Sequence, residues 1–278
     1  MTRAFVIGHP IAHSRSPLIH GHWLNRLGIA GSYERIDVPP DRLGEFLLGL
    51  PASGYAGGNV TVPHKEAAFG LVGEATRLAG RLRAVNTVWV EAGRLLGDNT
   101  DGQGFVASLA EAVGPGWQDE VGTALILGAG GAARAILCAL ADCGVRRILV
   151  ANRTEARAGE VAALAPGAAT VLPWADLARA LRRTDLVVNT TVCGMKGQPP
   201  LDIDLAPLST DAIVADIVYV PLETPLLAAA RRRGLRAVDG LGMLLHQAVP
   251  GFARWFGATP EVAPELRALL AADVERTS

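Results

Sequence analysis

Short β-branched runs alternate with Ala/Leu-rich stretches along most of the chain, the pattern of parallel strands under helical cover. AFVIG at 4–8 predicts a strand ending in a turn. SPLIHGHWLNRLG at 16–28 predicts a helix with Pro17 in its first turn and Gly28 at its end. SYERIDV at 32–38 reads as a second strand and 41–50 as a helix. Gly57-Gly58 leads into a strand carrying Asn59, Val60, Thr61 and Val62, whose alternation puts Asn59 and Thr61 on one face. Pro63 then opens a helix over 64–71, and 84–99 reads as a hairpin about Ala92-Gly93.

The pattern breaks near 102–120, where the helix FVASLAEAV gives way to GPGWQDEVG, a turn-forming segment poor in core residues. A regular series follows: a strand and helix in 123–144, a strand at 146–153, a helix at 155–165 and a strand at 169–172. A helix at 174–183, strands at 185–191 and 212–219, a helix at 224–234 and a short strand at 235–240 complete it. Two helices, 241–256 and 260–274, end the chain with no strand after them, and either half could receive them.

The composition narrows the function classes. Half of the 278 residues are apolar, ample for a sizeable core. Lys and Arg total 26 against 27 Asp and Glu, so no basic excess points to nucleic acid. No stretch approaches the roughly 18 apolar residues of a membrane span. The opening MTRAFVIGHPIAHS lacks the features of a signal peptide, and a cytoplasmic protein is expected. Cys138, Cys143 and Cys193 make no CxxC pair and read as small apolar filler. The six histidines show no zinc-ligand spacing, and no metal is expected.

The sharpest motif is Gly128-Ala129-Gly130-Gly131-Ala132-Ala133, a GxGxxA at a strand-to-helix turn. Gly128 permits the tight turn, Gly130 lets a pyrophosphate approach the backbone, and Ala133 allows close helix–strand packing. The helix start then offers free N–H groups and a positive dipole end to phosphate. The next strand ends in Asn152-Arg153-Thr154, where an NAD-binding chain carries a carboxylate for the ribose 2′-hydroxyl. An arginine there pairs with a 2′-phosphate, which favours NADP(H).

Three polar clusters mark the first half. Ser14 and Ser16 sit just before a helix; one serine suffices as its N-cap, which leaves the other for a ligand. Asn59 and Thr61 precede Lys65, a cation in the first turn of a helix where the dipole disfavours it. A lysine so placed suits proton transfer. Asn86-Thr87 and Gly97-Asp98-Asn99-Thr100-Asp101-Gly102 form the third cluster, with Asp98 a turn residue and Asp101 able to pair with Lys65.

Taken in order, GHPIAHSRSPLIH, GGNVTVPHKE, AVNT, DNTDGQG, GAGGAARA, NRT, NTTVCGM, DIVYVPLETPLL and DGLGMLLHQA resemble the shikimate dehydrogenase family over nearly the whole chain. The resemblance implies two α/β domains, with the active site in the cleft between them. A substrate-binding domain would comprise 1–103 and 241–278, and a Rossmann-like NADP-binding domain 104–240. It implies reversible NADP(H)-dependent reduction of 3-dehydroshikimate to shikimate, with Lys65 and Asp101 as the catalytic pair. Ser14 and Ser16 match the residues that hold the substrate carboxylate. Asn59, Thr61, Asn86, Asp101 and Gln247 match contacts to the ring hydroxyls, and Tyr219 a tyrosine close to the substrate. Ile217 and Met243 match residues beside the nicotinamide, Gly240 a cofactor contact, and Thr190 a residue near the cofactor.

Two positions depart from the family pattern. Val192-Cys193 replaces a pair that is often smaller and more polar, and His64 stands where an aromatic or hydrophobic residue is common. The competing readings are a quinate/shikimate or aminoshikimate paralogue and a non-catalytic NADP-binding sensor. Retention of Lys65 and Asp101 argues against the sensor, and Arg153 against an NAD-using quinate enzyme. The partner is a small molecule, with nucleic acid and membrane excluded and a homodimer left open.

Overall fold

Ala4–Ile7 are almost completely shielded from solvent because strands flank them on both edges and side chains cover both faces. The computed structural model describes residues 1–277. They form two compact units, Met1–Thr100 with Gln247–Leu270, and Asp101–His246 with the residues from Ala271 onward. The first unit opens with β1 (Thr2–Gly8), α1 (Ser16–Leu27), β2 (Gly31–Asp37), α2 (Leu43–Leu48) and β3 (Gly57–Val60). It continues with α3 (Lys65–Phe69), β4 (Glu74–Ala75), α4 (Arg77–Leu82), β5 (Thr87–Glu91) and β6 (Arg94–Asp98). These strands make one mixed sheet in the order β2-β1-β3-β5-β6-β4. β1 runs parallel to β2 and β3, whereas β5 is antiparallel to β3 and β6. The β5–β6 turn has positive φ at both Ala92 and Gly93, the hairpin geometry whose twist matches that of the strands.

The second unit starts with α5 (Asp101–Val113), α6 (Trp117–Glu120), β7 (Thr123–Leu127), α7 (Gly131–Asp142) and β8 (Arg147–Ala151). Then come α8 (Glu155–Ala162), β9 (Ala169–Val171), α9 (Leu177–Leu181), β10 (Leu186–Asn189) and β11 (Ile213–Asp216). α10 (Pro225–Arg232), β12 (Arg236–Val238) and α11 (Gly240–His246) follow. All six strands are parallel, ordered β12-β11-β10-β7-β8-β9. That is the doubly wound dinucleotide-binding order, in which the first strand of the unit, β7, lies at the switch point. The strands are almost purely apolar because helices cover both faces. Leu125, Leu149, Val187 and Val214 form one side's core with Leu177 and Leu181 of α9.

The chain closes with α12 (Ala248–Phe256) and α13 (Pro264–Thr277). One continuous helix over 241–256 was expected; it is interrupted at Gln247 because Pro250 has no N–H to offer the His246 carbonyl. The strand expected to reach Val62 stops at Val60. Thr61 N still donates to Ile7 O at 2.9 Å, but Pro63 cannot extend the ladder and Val62 turns out to solvent. GPGWQDEVG, read as poor in core residues, contributes the fully buried Trp117 through the short α6.

α12 lies on the first sheet. Its Trp255 Nε1 donates to Val88 O at 2.9 Å, and the Arg254 guanidinium sits 3.8 Å over the Trp89 ring. Beneath it His20 stacks on Tyr33, with ring centroids 3.9 Å apart, and meets Trp23 edge-on at 5.6 Å. Neither His20 nitrogen has a partner at hydrogen-bonding geometry. Burial lowers its pKa to about 3, an effect the neighbouring Asn59 amide only partly offsets. The unfolded chain therefore takes up a proton on His20 below pH about 6.5 that the folded chain refuses until about 3. The resulting stability is present above that range and is lost as pH falls through it. Between pH ~7.5 and ~5 this histidine alone removes about 2 kcal/mol. Urea unfolding of wild type and His20→Phe at both pH values should show the wild type losing that much more. Equal losses would refute the assignment.

Candidate active site

At the carboxyl edge of the first sheet the sequence places amides and hydroxyls where the strands run out, and they bind one another. Asn86 is the hub. Its Nδ2 donates to Thr100 Oγ1 at 3.1 Å and Gln247 Oε1 at 3.4 Å, and its Oδ1 accepts from Thr100 N and the Thr87 hydroxyl, each at 2.9 Å. Thr100 Oγ1 also donates to Gln247 O at 2.8 Å. Asn59 donates from Nδ2 to Asn86 O at 3.1 Å and accepts the Tyr33 hydroxyl at 2.6 Å. Burial raises the Tyr33 pKa well above its ordinary value, so the phenol stays a donor. Asn59, Asn86 and Gln247 are thus brought together, and Asn59 is held from behind by Tyr33, which carried no sequence signal beyond its place in β2.

Ser14 and Ser16 lie side by side, their hydroxyl oxygens 3.4 Å apart, and Ser16 N donates to Ser14 Oγ at 3.3 Å. Arg15 holds the N-cap position of α1 without a side-chain cap bond, so neither serine caps the helix as proposed from sequence. The Thr61 hydroxyl has no hydrogen-bond partner among the described residues. Lys65 is half-buried and opens α3, with its carbonyl accepting from Val85 N at 2.9 Å. The preceding His64 is buried, and its Nε2 donates to Val38 O at 2.7 Å. That bond gives a physical use to a histidine where an apolar residue is common: it ties the start of α3 to the end of β2. Asp101 is buried at the first position of α5, directly after Thr100 in the chain.

In the second unit Gly128 has φ +110°, and a Cβ there would lie 2.6 Å from Thr190 Oγ1. Thr190 braces this turn, its N and Oγ1 both donating to Leu127 O at 2.8 and 2.7 Å. Gly130 and Gly131 differ from Gly128: added Cβ atoms would meet nothing within 4 Å, and neither backbone is left-handed. The fold does not require glycine at these two positions, whereas an approaching phosphate does. Ala129 and Ala132 complete the turn at the start of the twelve-residue α7, whose free N–H groups suit an anion.

Beside this turn lies a groove of about 660 Å³ lined by Gly128, Asn152, Arg153, Thr154, Thr191 and Cys193 among others. The Asn152 side chain fixes the loop by donating to Thr154 O at 2.9 Å, and Thr154, the N-cap of α8, makes no side-chain cap bond. Arg153 is exposed and pairs with no carboxylate among the described residues. Arg157 and Trp174 also line the groove and were not singled out from sequence. Arg157 lies in the first turn of α8, the helix that follows the Asn152–Thr154 loop. Cys193 is half-buried and lines the groove, so the filler reading suits Cys138, which is fully buried, better. These residues fit a 2′-phosphorylated dinucleotide.

At the ends of β10 and β11 a buried polar knot holds the loops. Asn189 Nδ2 donates to Asp216 Oδ1 at 2.9 Å and to Cys193 O at 3.1 Å. Asp216 also accepts from Val218 N at 3.0 Å and the Thr224 hydroxyl at 2.7 Å. Burial raises the Asp216 pKa, and the bonds from Thr224, Val218 and Asn189 only partly offset it. This knot sets the path of Ile217, Val218 and Tyr219. Gly240 lies against Ile217 so closely that a Cβ would meet the Ile217 carbonyl oxygen at 2.2 Å. The structure therefore joins Ile217 and Gly240, with Met243 one turn along α11. Among the described residues no cluster of three His, Cys, Asp or Glu could hold a metal, and no helix is long and apolar enough to cross a membrane.

Comparison with known proteins gives this architecture its place. Family models described as Shikimate dehydrogenase substrate binding domain, Shikimate / quinate 5-dehydrogenase and Shikimate 5'-dehydrogenase C-terminal domain match residues 6–88, 108–195 and 240–270. A shikimate dehydrogenase (NADP(+)) of Methylobacterium radiotolerans is 65% identical over 274 residues, covering 98% of this chain and 97% of that protein. The structure of shikimate 5-dehydrogenase from Thermus thermophilus in complex with NADP(H) and shikimate is 36% identical, with a TM-score of 0.86 over 99% of this chain and 100% of the other. Quinate dehydrogenase from Corynebacterium glutamicum in complex with NAD is 32% identical, with a TM-score of 0.90 over 98% of this chain and 99% of the other. The chain belongs to the shikimate dehydrogenase family.

Proposed function

We propose that this chain is an NADP(H)-dependent shikimate dehydrogenase that reversibly reduces 3-dehydroshikimate to shikimate on the route to chorismate and the aromatic amino acids. The observation that carries the reading is 65% identity over nearly the full length to a shikimate dehydrogenase (NADP(+)). Unpaired Arg153, with Arg157 in the same groove and no acidic residue at the tip of β8, supports NADP(H) over NAD(H). The enzyme is placed in the cytoplasm on the same reading.

When bound, NADPH supplies the hydride that the carbonyl carbon accepts. The carbonyl oxygen then needs one proton, and the Lys65 ammonium gives it, leaving a neutral amine that solvent re-protonates. Asp101 is the second member of the proposed catalytic pair. Ser14 and Ser16 hold the substrate carboxylate. Asn59, Thr61, Asn86 and Gln247 read the ring hydroxyls, and Tyr219 is a further substrate contact. The turn Gly128, Ala129, Gly130, Gly131 and Ala132 takes the pyrophosphate, while Asn152, Arg153 and Thr154 take the adenosine ribose and its 2′-phosphate. Thr190, Ile217, Gly240 and Met243 flank the nicotinamide end.

NADPH oxidation with 3-dehydroshikimate tests the whole reading, run against NADH and, in reverse, shikimate against quinate. Rapid NADPH-specific turnover with little quinate oxidation is expected. Preference for NADH and quinate would move the chain to the paralogue class. Lys65→Ala should lower kcat by about 10²–10⁴-fold, the usual weight of a positioned proton donor, with little change in KM for shikimate. A variant with near wild-type turnover would remove Lys65 from the chemistry. Arg153→Ala should raise KM for NADPH about 10- to 100-fold, the scale of a lost charge-assisted hydrogen bond, and leave KM for NADH unchanged. Parallel losses with both cofactors would show that Arg153 does not read the 2′-phosphate.

A further inference from the structure

The second unit carries a second concave site that the proposed chemistry does not use. A cavity of about 460 Å³ opens between α9 and the β8–β9 edge of the sheet. Four arginines, Arg147, Arg179, Arg182 and Arg183, line it against one carboxylate, Asp176. Asp176 is spoken for by Arg179, at 3.5 Å. Arg147, Arg182 and Arg183 are exposed and have no side-chain partner among the described residues. The next carboxylate along the sheet, Asp185, accepts from Gly122 N and Thr123 N at 3.0 and 2.8 Å and is already bonded.

Chance surface charge does not account well for this arrangement. Arg182 and Arg183 follow the end of α9, where a helix dipole favours cations, and that alone would explain them. Arg147 is not on that helix. It opens β8, yet its side chain lines the same cavity. Three like charges turned into one hollow repel one another, in a chain whose formal net charge is −1. The floor beneath them is apolar, made by Leu149, Leu172 and Ala180. A cationic rim over an apolar floor suits a small organic anion carrying more than one negative charge.

We propose that this cavity binds a small polyanionic metabolite, phosphorylated or polycarboxylate, through Arg147, Arg182 and Arg183. The site is separate from the nucleotide groove, yet one segment serves both: Leu172 and Asp176 line the cavity, and Trp174 between them lines the groove.

Calorimetric titration of pyrophosphate and, separately, citrate into NADP⁺-saturated enzyme tests the proposal, with sodium chloride matched for ionic strength. Saturable binding of at least one probe is expected, and the tighter probe assigns the phosphate or the carboxylate class. Arg182→Gln/Arg183→Gln should weaken it about tenfold or more, the scale of losing charge-assisted bonds, and Arg147→Gln should do likewise. Arg94→Gln, the same charge change on the first unit, should leave the affinity within about twofold. Urea midpoints of the variants report their folding, and all four arginines are exposed. No saturable binding of either probe, or equal affinity in the wild type and the Arg182/Arg183 variant, would overturn the proposal.

Discussion

The buried amide of Asn86 is the joint on which the first unit's site depends. A primary amide offers two donors and one two-lone-pair acceptor, and here they reach Thr87, Thr100 and Gln247. Those partners come from β5, from the residue before α5 and from the residue before α12. A buried amide deprived of these bonds would cost about 1–3 kcal/mol for each group left unmet. The chain after β6 is therefore held to the one course that satisfies Asn86, and Asp101 enters at the next residue. The position of the Asp101 carboxylate thus follows from satisfying a neutral polar group one residue earlier.

The second unit solves the same problem with a different group. Its strands also end in polar side chains, but the centre is a carboxylate, Asp216, buried with three donors around it. A parallel sheet leaves the chain to turn abruptly at each carboxyl end, and the loop N–H groups there need acceptors. Asp216 provides them for Val218 and for Thr224, which also caps α10 by accepting from Leu227 N. Burial pushes its pKa upward, and those donors only partly offset the shift. Asn86 can be buried without that tension.

Much of this was legible in the sequence, and what was missed follows a physical pattern. The alternation of apolar runs was enough to find the strands of the parallel sheet, since a strand buried on both faces has no other composition open to it. GxGxxA and Arg153 were readable because a phosphate site needs particular backbone and charge at fixed spacing. Boundaries failed where proline decided them: Pro63 stopped a strand two residues early and Pro250 split a helix, effects that depend on which partner carbonyl waits unpaired. Trp117 was overlooked because its neighbours spell a turn, and four residues are too few to show a period. Tyr33, Asn189 and Thr224 escaped for another reason. Each acts through a bond to a distant segment, and a one-dimensional pattern holds no trace of a partner 26, 27 or 8 residues away.

Those supporting bonds also bear on selectivity. A site that merely encloses a ring discriminates weakly, because an added or missing hydroxyl changes little in an accommodating pocket. A site whose amides are already oriented by buried partners cannot turn to suit an analogue. Asn59 is held on one side by Tyr33 and on the other by Asn86, so its amide faces one way whether or not substrate is present. With Asn59 in its proposed role, an analogue lacking the matching hydroxyl would leave a desolvated group unpaired, a penalty set by the protein before the ligand arrives. The aromatic stack under Asn59 serves the same end. His20, kept neutral by burial, packs against the Tyr33 ring and leaves its hydroxyl to donate to Asn59. Rigidity at this edge comes from neutral groups, so it adds no charge beside the lysine proposed as the proton donor.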